Sequence, residues 1–307
     1  MDLSAVIDQM LMLFFCILIG FIAYKTGVMT LDLQKGLSTL VLSVTMPALI
    51  LSSVLNRSEE SPQVPMLLLV GLGFALILGR LLLSYPLTWL LRVPKEQAGP
   101  YRFLTAFSNV GFMGFPVVSA LFGPEAVLCA AMFQIPFYLL SYTIGIRQVA
   151  GKTERPPLRK TLLHPAVLSS LGALLLYLTD LRLPAVIGQS AAFIGQITTP
   201  ATMLIVGATL ASVPLRQALG VWRLYPYAVI TLIAFPLLTY VLLRPFTQSV
   251  YILGVTTVLA AMPAATNSTM LCHQYGGDAA LCSSGVFVST VLSLLTIPLL
   301  AGWLFAA

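Results

Sequence analysis

Four consecutive polar side chains interrupt an apolar stretch near the carboxyl end of the sequence. They are Thr266, Asn267, Ser268 and Thr269, which follow Pro263 in the segment MPAATNST at 262–269. Hydroxyl and amide groups donate hydrogen bonds, and a proline removes a backbone N–H and breaks a helix. Because the amino end of a half-helix carries a partial positive charge, this combination suits a site for a small anion, especially a carboxylate.

A second helix-breaking segment, NVGFMGFP, lies 153 residues earlier, at 109–116. It contains Gly111, Gly114 and Pro116 and begins with Asn109, which Ser108 precedes. Irregular backbone at membrane depth persists only where protein or a water-filled cavity satisfies its polar groups. We therefore predict one substrate site between the two breaks, with Pro116 and Pro263 as first residues of the second half-helices. Its predicted ligands are Asn109, Ser108, Thr266, Asn267, Ser268 and Thr269.

The alternative is that proline and glycine only kink these helices, while the hydroxyl groups bond back to their own turn. A second proline pair, Pro47 and Pro200, leaves the same two possibilities open. Thr45 and Thr198 precede these prolines by two residues each. We expect these threonines to face the cavity if the prolines bend the helices around it.

The elements that must hold these residues are membrane helices. The chain has 307 residues, of which 58% are hydrophobic and 8% charged, and its mean hydropathy is +0.96. Soluble domains carry about a quarter charged residues, so we predict an all-α integral membrane protein. Ten apolar stretches, called predicted spans 1 to 10, cover 5–24, 37–55, 64–91, 101–121, 125–145, 162–179, 186–212, 225–243, 249–273 and 279–305.

The basic residues orient these spans. Twelve lysines and arginines lie in the connections after spans 1, 3, 5 and 7, against Arg57, Arg182 and Arg244 on the other side. Basic connections stay in the cytoplasm, so both termini are predicted outside the cell membrane. The net charge of +6 is thus a topology signal and predicts no nucleic-acid partner.

The sequence also repeats itself at one offset. TMPA at 45–48 resembles TTPA at 198–201, and FGPEAVLC at 122–129 resembles YGGDAALC at 275–282, both 153 residues apart. Five spans per copy force the second copy to insert upside down. We predict a first repeat at 1–150, a cytoplasmic linker at 151–161 and a second, inverted repeat at 162–307, with broken helices crossing in spans 4 and 9.

Arg80 lies inside predicted span 3, where a charge is a functional hypothesis by default. It could hold substrate or latch a conformation, or its side chain could reach the cytoplasmic interface. No carboxylate lies in mid-span, and the sequence shows no phosphate loop, no Ser-His-Asp set and no metal-ligand spacing. We therefore predict neither an enzyme nor a cofactor or metal, with H⁺ or Na⁺ left open as the coupling ion.

The motif Asn-x-Gly-x-x-Gly-x-Pro in span 4, Met-Pro-Ala-Ala in span 9 and the five-plus-five topology resemble the auxin efflux carrier family. The chain is most similar to its compact bacterial type, related to the plant PIN-FORMED carriers. The resemblance implies a scaffold of spans 1, 2, 6 and 7, a transport unit of spans 3–5 and 8–10, and a homodimer. It also implies that Asn109 contacts the substrate carboxylate and that Arg80 lies at a support site.

Plant carriers have a long loop between the halves, whereas about sixteen residues, 146–161, connect them here. This difference favours a small organic acid such as malate or malonate over auxin. The expected function is a secondary transporter, either an efflux carrier or a facilitator, that moves a mono- or dicarboxylate by alternating access. Alternatives are a membrane receptor or sensor for a small acid and a Na⁺-coupled symporter resembling bile acid transporters. Membrane lipid is the other expected partner.

Overall fold

The computed structural model describes residues 3–57, 64–150, 162–181 and 183–306. The predicted linker 151–161 and Arg182 fall outside these residues. The described chain is helical, and we label its helices in chain order: α1 Leu3–Lys25, α2 Leu31–Leu55, α3 Met66–Leu90, α4 Lys95–Ala106, α5 Val110–Phe122, α6 Ala126–Val149, α7 Pro165–Thr179, α8 Ala185–Ser212, α9 Leu215–Gly220, α10 Leu224–Leu243, α11 Val250–Ala260, α12 Asn267–Gln274 and α13 Ala279–Ala306.

Within the described residues, seven helices are long and apolar enough to cross a membrane: α1, α2, α3, α6, α8, α10 and α13. They coincide with predicted spans 1, 2, 3, 5, 7, 8 and 10. Three further helices, α5, α7 and α11, are apolar but shorter. Predicted spans 4 and 9 are each divided in two, into α4 and α5 and into α11 and α12, so both are discontinuous as their glycines and prolines lead us to expect.

Proline and π-helical geometry occur together in these helices. Pro47, Pro116 and Pro236 each stand two residues after a five-residue π-helical segment. A proline ring clashes with the carbonyl four residues back in a regular α-helix, and a wider π turn relieves that clash. Pro200 instead follows a turn at residues 196–197 inside α8. The second proline pair therefore marks real irregularities in α2 and α8.

Two crossing prolines do not have the predicted position. The helix after the second break begins at Asn267, so Pro263 lies in the irregular segment before it and is not its first residue. Pro116 is the second residue of an α-helical segment, but that segment continues from the π turn that begins at Val110. The prediction for Pro263 is wrong because the backbone stays extended after the proline in order to pair with the other break.

Close contacts between helices α1 and α8 rest on glycine. A Cβ atom added at Gly20 would lie 2.2 Å from the carbonyl oxygen of Leu204, and one added at Gly207 would lie 1.9 Å from that of Ile17. Helix α2 packs in turn against α7 and the first half of α8, where Gly195 meets the backbone of Leu49. Small residues at helix interfaces let backbones approach closely in membranes. Helices α1, α2, α7 and α8 thus form one packed group.

Candidate functional site

The two broken helices meet at their breaks. The backbone N–H of Asn109 donates to the carbonyl of Pro263 over 2.7 Å, and the N–H of Ala265 donates to the carbonyl of Phe107 over 3.0 Å. Ser108 and Ala264 form an antiparallel bridge between these two bonds. The irregular backbone of each break therefore satisfies the other, which is what non-helical chain at membrane depth requires.

A cavity of about 100 Å³ lies beside this crossing. This volume is several times the roughly 10–15 Å³ that one water molecule needs. Its wall includes Leu42 of α2, both breaks, α6 and the residue before α7; the polar and aromatic groups that line it are Asn109, Gln134, Tyr138, Tyr142, His164, Thr266 and Asn267. None of the described residues that line it is Asp, Glu, Lys or Arg.

Two amide donors at this cavity have no hydrogen-bond partner among the described residues. The side-chain oxygen of Asn109 accepts from the N–H of Phe112 over 3.1 Å and so caps α5, which leaves its Nδ2 free. Nε2 of Gln134 on α6 is also unpaired, and both residues are at least 97% buried. A buried polar group without a partner is costly, typically by about 1–3 kcal/mol, so these two amides are donors that the cavity offers to water or to a ligand.

The amino ends of two helices point into the same cavity. Asn109 is the N-cap of α5 and Thr266 is the N-cap of α12, and both line it. Asn267, the first residue of α12, adds an amide whose Oδ1 has no partner. Each helix amino end carries about half a positive charge, so the cavity favours an anion although its described lining has no fixed charge.

Arg80 holds the opposite ends of the broken helices. Its Nε donates to the carbonyl of Thr105 over 2.7 Å, at the end of α4, and Nη1 donates to that of Ala260 over 3.0 Å, at the end of α11. Its guanidinium lies 5.3 Å from the ring centroid of Phe235, and the residue is 4% exposed. The interfacial alternative for Arg80 is therefore wrong, because both carbonyl ends draw the charge inward. Arg80 does not line the crossing cavity.

The structure divides the other predicted ligands. The hydroxyl of Ser108 donates to the carbonyl of Leu259 over 3.1 Å and serves the crossing itself. Ser268 is buried with an unpaired hydroxyl, but neither it nor Thr269 lines the cavity. Thr45 and Thr198 share a hydrogen bond of 3.0 Å with each other. The expectation that these two threonines face the cavity is wrong, because they are at most 1% exposed and pair across the contact between α2 and α8.

His164 immediately precedes α7 and lies outside that spanning segment. Its ring stacks on Tyr138 with a centroid distance of 4.1 Å, and its Nδ1 accepts from the N–H of Ala166 over 3.3 Å. Burial beside the cavity lowers the pKa of His164 to about 4, because the charged ring would lose its water. The ring is therefore neutral at neutral pH.

Gln134 is the ligand candidate that sequence reasoning missed. A signal was present, since Gln134 is the single strongly polar residue in AVLCAAMFQIPFYLL at 126–140. Gln134 also explains the glycine at position 111, because a Cβ there would lie 2.9 Å from Nε2 of Gln134. The glycine lies in the π-helical first turn of α5, just after the break, and leaves space for the amide that lines the cavity.

The chain is similar to known membrane transport proteins. The sequence matches the family described as membrane transport protein over residues 5–157 and 154–301. It is 24% identical to an uncharacterized transporter of Methanocaldococcus jannaschii, covering 97% of this chain and 98% of that protein. It is also 24% identical to a Rhizobium meliloti protein named "Putative malonate transporter", covering 85% of this chain and 84% of the relative.

Proposed function

This chain belongs to the membrane transport protein family, the auxin efflux carrier family, and we propose that it carries a small organic anion across the cell membrane by alternating access. It is a multi-pass membrane protein. The observation that carries the proposal is the pair of unpartnered donors, Asn109 Nδ2 and Gln134 Nε2, in the cavity between two helix amino ends. We assign the protein to transport and not to catalysis.

The electrostatics of the crossing support an anion as the substrate. The amino ends of α5 and α12 meet at the cavity, while the carboxyl ends of α4 and α11 meet at Arg80. Two carboxyl ends together carry about one negative charge, which the guanidinium neutralises. Because that negative pole is compensated, the positive pole at the cavity remains available to a carboxylate. In this proposal Arg80 is a positioning residue and Asn109 and Gln134 are ligands.

The substrate class follows from the size and donors of the cavity. A volume of about 100 Å³ suits an acid of a few carbon atoms, and two amide donors suit the oxygens of one carboxylate. Thr266 and Asn267 also line the cavity, and their hydroxyl and amide N–H groups would serve the second carboxylate of a dicarboxylate. Malonate is the first probe to use, because one relative carries it in its name.

The proposed inverted repeat suggests how the carrier alternates between its two open states. We propose two five-helix repeats, residues 1–150 and 162–307, with a linker between them. In support, Thr45 and Thr198 are separated by 153 residues and hydrogen-bond to each other, as equivalent residues on a two-fold axis do. The packed group α1, α2, α7 and α8 would be the scaffold, and the helices that carry the crossing would move against it. Both termini would lie outside, and two copies would pair.

Uptake of labelled malonate into vesicles that contain the purified protein tests this function. Replacing Asn109 by Ala removes one donor to a charged ligand, worth about 1.5–3 kcal/mol, so affinity should fall by roughly 10- to 150-fold. Asn109→Asp is the sharper variant, because it keeps the oxygen that caps α5 but places a negative charge at the anion. Asn56→Ala is the matched control, because it also removes an amide, whose Nδ2 donates to the carbonyl of Gly188 over 3.0 Å, and Asn56 does not line the cavity.

The outcomes separate the candidate functions. Uptake that is lost in Asn109→Asp and kept in Asn56→Ala supports the proposal. Saturable binding of malonate without flux would favour the receptor or sensor instead. Uptake by Asn109→Asp with an unchanged affinity would remove Asn109 from the site.

A further inference from the structure

The cavity lacks a full positive charge for the anion it is proposed to bind. Its described lining holds neutral amides, a threonine and two tyrosines, and none of its residues is a lysine or an arginine. The helix amino ends contribute only partial charges. A carboxylate that leaves water for such a cavity keeps part of its desolvation cost. One lining group, His164, can become a full cation when an anion beside it raises its pKa.

The side chains around His164 favour its uncharged form. Tyr138 stacks on its ring and Tyr142 shares the cavity wall, and both are neutral phenols at neutral pH. Nδ1 accepts from Ala166, so the hydrogen of the neutral ring lies on Nε2. No described acidic or basic side chain lines this part of the cavity. The proton affinity of the ring therefore depends on what enters the cavity.

We propose that His164 binds a proton together with the anion, which makes the carrier a proton–anion symporter; this inference rests on the proposed function. A proton from water adds to Nδ1 when the anion enters and returns to water when the anion leaves, so no other reactant is needed. Protonation also ends the contact between Nδ1 and the N–H of Ala166. Loading of the site is thereby linked to the first turn of α7, which belongs to the proposed scaffold.

The size of the effect follows from the two protonation states. An anion within about 4–6 Å raises the pKa of a histidine by about 1–3, which takes that of His164 from about 4 to about 5–7; toward the upper end of this range the ring gains a proton near pH 6 only when the anion is bound. For a pKa that rises to about 7, binding near pH 6 takes up close to one proton, and affinity increases toward tenfold for each unit of pH decrease. Above that pKa the affinity becomes independent of the ring.

The test compares wild type with His164→Asn. Asparagine keeps an N-cap acceptor for Ala166 but does not titrate. The only other histidine of the chain, His273, is exposed and lies outside the cavity, so His273→Asn is the matched control. Calorimetric titration with malonate in two buffers of different ionisation enthalpy measures protons per bound anion, and protonation of malonate itself is common to all three proteins.

Near pH 6, wild type and His273→Asn should bind more protons per malonate than His164→Asn, by as much as one proton. Equal proton counts in wild type and His164→Asn would overturn the inference. Vesicle uptake then tests the coupling: a gradient that is acidic outside should drive accumulation in wild type and not in His164→Asn. If the pH gradient does not change malonate flux in wild type, symport is rejected but the proposed carrier function is kept. If malonate binding takes up a proton at His164 but no flux is seen, the carrier function is rejected and the assignment of His164 is kept.

Discussion

Replacing Arg80 by Met removes the only charged side chain that the structure places at both carboxyl ends of the broken helices. Two hydrogen bonds disappear, of 2.7 Å to Thr105 and 3.0 Å to Ala260, and both carbonyl groups remain buried. At about 1.5–3 kcal/mol for each charge-assisted bond, the loss amounts to roughly 3–6 kcal/mol before the relief of burying a charge is subtracted. We expect a clear fall in thermal stability.

The assay is thermal unfolding of the purified protein in detergent, followed by malonate binding at a temperature where the variant is folded. At about 2.1 cal/mol/K of unfolding entropy per residue, a net loss of about 2 kcal/mol corresponds to a decrease in Tm of about 3 °C for this chain. Arg80→Lys should recover only part of it, because one ammonium group does not reproduce the planar fork of a guanidinium. Binding should weaken as well, since the uncompensated negative pole opposes the anion.

Arg244→Met is the matched control, because Arg244 is exposed and its guanidinium only contacts the ring of Tyr240. An Arg80→Met protein with the Tm and malonate affinity of wild type would refute the assignment of Arg80 to the helix ends. A lower Tm with unchanged affinity would keep the structural role and reject the electrostatic one.

Two further predictions concern residues around the crossing. Gly111→Ala should weaken malonate binding by about tenfold, because the new Cβ displaces the amide of Gln134. Its thermal stability should stay level or rise by about 1 kcal/mol, which is the helix preference of alanine over glycine. A protein with lower stability and unchanged binding would contradict this prediction. Thr45→Val should lower stability by about 1–3 kcal/mol by leaving the hydroxyl of Thr198 unpaired, whereas the double change to valine should restore most of it. A double variant that shows the sum of two single losses in thermal unfolding would show that the two hydroxyls do not interact.

The sequence predicts the spans and the positions of the breaks because both depend on local properties. Apolar length, glycine and proline can be read directly from the sequence. The break between α4 and α5 and the break between α11 and α12 therefore lie near the predicted positions. The contacts between breaks are not local. Pro263 therefore has a different place from the one expected, because its carbonyl accepts from Asn109, more than 150 residues away.

The same distinction explains the errors at the site. Asn109 lines the cavity, and the glycines and proline that follow it already mark a break in the sequence. Gln134 is missed because a single glutamine in an apolar helix gives no sign of its position, and only the fold places it beside Gly111. Thr45 and Thr198 are adjacent to prolines in both repeats, yet the contact between α2 and α8 turns them toward each other.

The two ends of the crossing explain why a membrane protein would keep an arginine so deep. Two broken helices have four additional ends. Where the breaks meet, the two amino ends lie together and the two carboxyl ends lie together. The paired carboxyl ends form a negative pole that must be neutralised inside the protein, and Arg80 does so from a continuous helix, α3. The paired amino ends could have been neutralised by a fixed carboxylate, yet the described residues around them supply none. A positive pole without a counterion among the described residues fits the proposed mobile anion, which a carrier can release, whereas a fixed carboxylate would remain behind.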